Sequence, residues 1–229
     1  MSPSLELVVA RFDEDLNWLR RAPRRFQVTV YNKGEQTASL PARRPVTCWS
    51  LPNHGREEYA YIEHIIRRYD DLADVTVFSQ GKPFDHVPDF HKQLHALAFR
   101  QLIVADFHWF GFIIDEDDDA GGLLFQRWSC NPAGDPLPMR PFWRDLFDEA
   151  APARKRFYPS AHFAVTADCI RRRPRSFYQR ALEISVRLPH AAHCFERSWD
   201  HVFGVDGIPS EYRHQPMPIY LRSIRRMMD

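Results

Sequence analysis

Three groups of side chains in this sequence could do chemistry. Near the end of the chain, Glu196 stands among His190, His193 and His201. A carboxylate placed among histidines can serve as a general base whose proton affinity its neighbours tune; the bland alternative is an exposed helix of mixed polar residues. The densest acidic run is Asp115-Glu116-Asp117-Asp118-Asp119. Hard cations such as magnesium or manganese take oxygen ligands, and nucleotide phosphates complete their shell. Asp115 and Asp117 are therefore candidate metal ligands and second candidates for a base, although a charge run beside Gly121-Gly122 also reads as a solvated loop. The third group is Leu51-Pro52-Asn53-His54-Gly55-Arg56-Glu57, a turn that opens onto an apolar helix. A helix mouth favours an anion, Gly55 lets the backbone approach a ligand, and Arg56 can grip a phosphate or carboxylate with two parallel hydrogen bonds. The plainer reading makes Asn53 the N-cap and Glu57 its capping-box partner.

Other clusters say less. Asp13, Glu14 and Asp15 could hold a base or a ribose hydroxyl, act as general base, or cap the turns that carry Trp18. His91 and His95 lie four apart with no obvious third ligand and read as a polar stripe on a helix. The chain has no HExxH, GxSxG, Walker or GxGxxG pattern, which weighs against the chemistries those motifs serve. Four cysteines are widely spaced without a CxxC pair, which argues against a thiolate zinc site or a disulfide scaffold.

Bulk composition narrows the class. At 229 residues, with 44% hydrophobic and 27% charged residues, the chain can build one packed domain. A net charge of +1 argues against a dedicated nucleic-acid binder, although Arg171-Arg172-Arg173 with Arg175 could form a local basic patch. No basic leader precedes a long apolar run and no stretch approaches a membrane span, so the cytoplasm is the expected location.

The elements that must position these residues follow from pattern. Apolar runs at 5–10, 26–31 and 74–78 read as strands, and 57–69 and 90–102 carry helical periodicity. Residues 16–19 make one or two helical turns, and 35–50 read as irregular. Strands alternating with helices imply a parallel sheet with helices on its faces, and ligands gather at the carboxyl ends of such strands. The three segments at those ends are Arg11-Phe12-Asp13-Glu14-Asp15, Asn32-Lys33-Gly34 and Ser79-Gln80-Gly81-Lys82. In the second half, 128–141 reads as a long loop, 142–147 as a short helix and 161–165 as a strand. Thr166 or Asp168 then caps a helix beginning near Cys169, and 177–188 and 196–203 follow as helices.

Val8-Val9-Ala10-Arg11-Phe12-Asp13-Glu14-Asp15-Leu16-Asn17-Trp18-Leu19, Val30-Tyr31-Asn32-Lys33-Gly34, the Leu51 to Glu57 stretch with Tyr59, and Val75-Thr76-Val77-Phe78-Ser79-Gln80-Gly81 together resemble an uncharacterised family related to nucleotide-sugar glycosyltransferases of the GT-A fold. Phe157 to Val165 and Phe195-Glu196-Arg197-Ser198-Trp199 resemble its later blocks. The resemblance implies an α/β fold, GT-A-like and Rossmann-like, with a mostly parallel central sheet flanked by helices in a single domain over residues 1–229. Residues 1–105 would be the donor-binding half, and 106–229 the acceptor-side half and C-terminal tail. It also implies transfer of a sugar from a nucleotide-sugar donor to a hydroxyl acceptor. Arg11, Glu14, Asp15, Lys33, Asn53, Gly55, Arg56 and Gln80 would then line the donor site, with Glu196 as base. Such enzymes usually hold manganese or magnesium on an Asp-x-Asp motif. Asp115-Glu116-Asp117 has that spelling, but Ser79-Gln80-Gly81 follows the third strand instead, so Lys33, Arg56 or Lys82 could neutralise the diphosphate. Alternatives are a non-catalytic sugar-nucleotide or glycan-binding module of the same fold, and an enzyme whose acceptor hydroxyl sits on nucleic acid.

Overall fold

The computed structural model describes residues 2–36, 40, 45–128 and 134–221; Cys130 and the end of the arginine- and methionine-rich tail lie outside the described residues. In chain order the elements are β1 (Leu5–Arg11), β2 (Phe26–Asn32), β3 (Thr47–Ser50), α1 (Glu57–Arg68), β4 (Val75–Gln80), α2 (Phe90–Ala98), β5 (Phe107–Trp109) and β6 (Ile113–Asp118). There follow α3 (Phe125–Trp128), α4 (Met139–Phe147), β7 (Arg154–Phe157), β8 (Phe163–Thr166), α5 (Ala167–Arg171), α6 (Arg175–Arg187), α7 (Ala191–Glu196), α8 (Trp199–Val202) and β9 (Ile219–Tyr220).

The main sheet has the order β3-β2-β1-β4-β8-β5. Strands β3, β2, β1 and β4 run parallel, and β8 runs antiparallel to both β4 and β5. The order reverses at β1, which pairs with β2 on one side and β4 on the other. This is a topological switch point, where the loops leaving adjacent strands diverge and open a crevice.

Side chains alternate across β1 and sort into two cores. Val8 and Ala10 join Tyr31, Phe78, Phe163 and the inner face of α1, with α6 and α7 behind. Leu5, Leu7 and Val9 join Val28, Val30, Val77 and the α2 residues Phe90, Leu94 and Leu97. All seven β1 residues are buried, as a central strand covered on both faces requires. Helix α1 packs Ala60, Tyr61, Ile62 and Ile65 against the sheet, with the Tyr61 ring tilted against Phe78 and Trp199 and edge-on to Phe163.

Several expectations need correction. Residues 47–50, read as irregular, form the exposed edge strand β3. The acidic run is not a loop, because Ile113–Asp118 forms β6 in a small second sheet, β7-β6-β9. Its register sets Glu116 opposite Arg156, Asp117 opposite Lys155 and Asp118 opposite Arg154, and opposite charges facing across strands favour the pairing. The helix expected over 196–203 is two pieces, so Glu196 closes α7 and does not begin a helix. Thr166 does cap α5, its hydroxyl accepting from the Cys169 amide at 3.2 Å. Helix α1 begins at Glu57, and its N-cap Arg56 has no side-chain cap. The carboxylate that turns back there is Glu58, which accepts from the Arg56 amide at 2.9 Å; Asn53 and Glu57 form no capping box.

Candidate functional site

A cleft opens along the carboxyl ends of the parallel strands. Its first compartment, about 460 Å³, is lined by Ala10, Arg11, Phe12 and Glu14 at the end of β1, Lys33 after β2, Asn53, Gly55, Arg56 and Glu57 after β3, and Gln80, Lys82, Asp85 and His86 at the end of β4. Its second, about 1130 Å³, runs from Gly111, Ile113, Asp115 and Glu116, past Pro159 and Ser160 and the end of α7, to Pro216, Met217, Pro218 and Tyr220. Arg56, Glu57, Gln80 and His86 line both compartments, so the cleft is continuous, with Arg56 at the junction.

Most of the donor-side candidates meet in the first compartment, but their side chains do different things. The Arg11 guanidinium is buried and donates to the carbonyls of Phe12, Glu14 and Gln36 and to the Asn32 side chain. It holds the post-β1 and post-β2 loops together from beneath. Glu14 accepts from the Phe12 amide at 2.7 Å. A methyl group on Gly81 would stand 2.6 Å from a Glu14 carboxylate oxygen, and one on Gly34 only 1.7 Å from the Phe12 carbonyl oxygen. Glycine is thus required at position 34, where the obstacle is backbone, whereas at position 81 the Glu14 side chain would have to move aside. Lys33 is buried and donates to the Gly55 and Arg56 carbonyls at 3.0 and 2.6 Å. Desolvation holds its ammonium below the ordinary lysine range, against the pull of Glu58 and Glu57. Arg56 is 58% exposed and lines the cleft, with the Glu57 carboxylate 3.8 Å from its guanidinium.

Asp15 falls outside this set. It is exposed, lines neither compartment, and accepts from the Asn17 backbone and side chain at 2.9 and 3.1 Å. The backbone bond, then the side-chain bond, holds its carboxyl below the usual range.

On the far side, Glu196 faces the second compartment with 22% of its side chain exposed, 3.6 Å from the His193 ring and 3.4 Å from the Arg197 guanidinium. Desolvation opposes its ionisation. The nearby His193 ring, the Arg197 guanidinium and the His86 ring outweigh that and hold its carboxyl below the ordinary glutamate value. Asp115 also lines this compartment, and desolvation, reinforced by Asp117 and Glu116, raises its carboxyl despite the hydrogen bond from the Glu116 amide and the charge of Arg197.

Asp117 is placed elsewhere. It is fully buried, bound by the Arg197 guanidinium at 2.7 and 2.9 Å, and it accepts the amides of Leu123, Leu124 and Phe125 ahead of and within α3. Its oxygens are committed to holding α3 and α7 against β6. The Asp115-Glu116-Asp117 spelling therefore does not present two free carboxylates to a cation, and among the described residues no three His, Cys, Asp or Glu side chains are grouped to hold one. The arginines of the supposed basic patch are likewise engaged. Arg172 pairs with Asp106 and Arg175 with Asp70, while Arg171 and Arg173 donate to the Tyr69 and His201 carbonyls.

The sequence reading missed His86, Asp85, Arg197 and Glu58. His86 and Asp85 lie only a few residues past β4, where the carboxyl-end rule would have found them had the window run past Lys82. Arg197 adjoins Glu196 in sequence. Glu58 sits in the first turn of α1, and no local pattern shows that it is 1% exposed.

Among the described residues no helix is long and apolar enough to cross a membrane. Comparison with curated proteins finds no significant match. Among solved structures, that of CMP:2-keto-3-deoxy-manno-octonic acid synthetase complexed with CTP is similar over 80% of this chain and 83% of that chain, at 13% identity and a TM-score of 0.33. A likeness of that strength assigns no activity. Residues 7–114 match the model of a family described as a protein of unknown function (DUF3431).

Proposed function

We propose that this protein is a GT-A-like glycosyltransferase that moves a sugar from a nucleotide-activated donor to a hydroxyl acceptor. The observation that carries the reading is the convergence of four post-strand loops and Glu196 on one continuous cleft at the switch point of the sheet. The first compartment takes the nucleoside diphosphate, with Arg56 against the phosphates and Lys82, paired with Asp85 at 2.9 Å, on the same lining. The sugar reaches the junction, and the acceptor enters the second compartment.

In the reaction, an acceptor hydroxyl oxygen forms a bond to the anomeric carbon as the bond from that carbon to the diphosphate breaks. The electron pair leaves with the diphosphate, where the cations stabilise it, and the hydroxyl proton passes to Glu196. The shift at Glu196 favours the ionised form that can accept a proton, whereas Asp115 is biased towards its protonated form. No step is routed through a metal ion, because Asp117 does not offer its oxygens to one.

The test is a thermal-shift and calorimetric screen of UDP-, GDP- and ADP-glucose, with and without manganese, followed by turnover assays on two variants. Arg56→Ala is expected to weaken donor binding by roughly tenfold, the scale of one charge-assisted hydrogen-bonded contact, with little change in melting temperature. Glu196→Gln is expected to retain donor affinity and lose turnover. A large stability loss in the first variant with intact binding, or an unimpaired second variant, would overturn the assignments. Binding without turnover in the native protein would favour the non-catalytic module, whose supporting observation is that Asp117 is occupied.

A further inference from the structure

We propose that Glu58 and Lys33 form a buried clamp beneath the Gly55–Arg56 turn that fixes its backbone to receive a diphosphate, with Glu58 carrying a proton so that the charge of Lys33 is not cancelled at the site. This rests on the reading of the first compartment as an anion site, and it adds two positioning residues to that reading.

The geometry is a closed set of contacts. Lys33 holds the turn through the Gly55 and Arg56 carbonyls, and Glu58 holds it through the Arg56 amide. Gly55 adopts a φ of +55°, in the left-handed region, and a methyl group there would stand 2.3 Å from Oε1 of Glu58. Both the fold of the turn and its lack of a side chain are therefore fitted to that carboxyl group. Oε1 itself is buried with no hydrogen-bond partner in the protein. An ionised carboxylate left so would carry a heavy desolvation cost, which a protonated acid avoids.

The surrounding charges agree. From its own helix Glu58 meets Glu57 and the Tyr61 hydroxyl, from the turn the Arg56 amide, from the post-β2 loop Lys33, and from α7 the Cys194 thiol. Burial and then Glu57 push the Glu58 carboxyl up to about 8, against the pull of the amides and Lys33. Ionising it above that point would place a negative charge under the turn that is meant to hold an anion.

Inorganic pyrophosphate serves as a probe independent of base and sugar, titrated by calorimetry from pH 6.5 to 9.5 against the native chain, Glu58→Gln, Lys33→Met and Gly55→Ala. Pyrophosphate itself only gains negative charge over this range, so a bare cationic site should hold it at least as well at the alkaline end. We expect the reverse for the native chain, a loss on the order of fivefold, with its midpoint near 8. In Glu58→Gln the loss centred near 8 should disappear, because the group that titrates there is gone. In Lys33→Met and Gly55→Ala, amide exchange at Arg56 should quicken and pyrophosphate should no longer slow it. Identical midpoints in native and Glu58→Gln chains, or an unchanged turn in Lys33→Met, would overturn the clamp. If pyrophosphate follows the expected profile while no nucleotide-sugar binds, the clamp stands and the transferase reading falls. If nucleotide-sugars bind and turn over with no such profile, the reverse holds.

Discussion

At the scale of single residues, two acids two positions apart in one strand do opposite things. Asp115 faces the cleft, whereas Asp117 is sealed against Arg197, itself only 2% exposed. Taking two charges out of water is costly, and their attraction repays this only when the remaining donors and acceptors are met. Here they are: Asp117 accepts four backbone amides, those of Asp118, Leu123, Leu124 and Phe125, and Arg197 also donates to the His193 carbonyl and lies 4.6 Å from the Phe157 ring centroid. Removing one partner strands the other. Arg197→Met should therefore cost about 3–5 kcal/mol of unfolding free energy, read by urea denaturation. A compensating Asp117→Leu should restore part of that loss, because the buried carboxylate is gone. If Arg197→Met left stability unchanged and abolished only turnover, Arg197 would belong to the chemistry and not to the scaffold. Gly34 and Gly81 act at the same scale, since each marks a point where one rim loop touches another.

At the scale of elements, the small sheet shows how charge can stand in for apolar pattern. Strand β6 contains the acidic run, and β7 contains Arg154-Lys155-Arg156. Glu116 receives Arg154 at 2.7 Å and Arg156 at 3.1 Å, and Lys155 reaches Asp200 in α8 at 2.7 Å. Replacing both Arg154 and Arg156 by glutamate should loosen β7 from β6 by about 1–2 kcal/mol. Amide exchange at Glu116 to Asp118 should quicken while β1 and β4 stay protected; equal loss in all four strands would show that the small sheet is not a separate unit. This pairing also explains what the sequence could not reveal. The strands β1, β2 and β4 were legible because each buries an apolar run, and α1 because Ala60, Tyr61, Ile62 and Ile65 share a face. Strand β3 was not, because an exposed edge of four residues imposes no pattern. Strand β6 was not, because its acids are matched by bases some forty positions later, beyond the reach of any local window. The rim of the candidate site was legible for a topological reason: once the parallel strands are placed, their carboxyl ends follow. Asp15 and Asp117 misled because residue type alone does not say whether an oxygen is already spoken for.

For the molecule as a whole, buried titratable groups on opposite sides of neutrality set the dependence of stability on pH. His64 and His162 are each fully buried, and desolvation, with Arg68 beside the first and His86 beside the second, brings both down from 6.5 to about 3. Between those values the unfolded chain takes up protons that the folded chain refuses. Stability contributed by these rings is present above about 6.5 and is lost as pH falls towards 3. Glu58 acts in the other direction: with its carboxyl raised from 4.5 to about 8, the folded chain keeps a proton that the unfolded chain gives up, so stability declines as pH rises through that window. Glu6, raised by burial, adds in the same sense. Below about 6.5 the two histidines together outweigh Glu58, and above it the carboxyls act alone, so the optimum should lie near about 6.5, with a decline on each side. His162 is the cleaner probe, because neither ring nitrogen has a hydrogen-bond partner in the protein, whereas the His64 ring meets the Tyr31 hydroxyl at 3.2 Å. A His162→Leu variant, followed by thermal denaturation from pH 3.5 to 9, should lose up to about 1.4 kcal/mol per pH unit from the acid limb. It should keep the alkaline limb unchanged, since that limb belongs to the carboxyls. An acid limb as steep as that of the native chain would mean that His162 takes up its proton without unfolding, and the apolar packing around it would have to admit a charge.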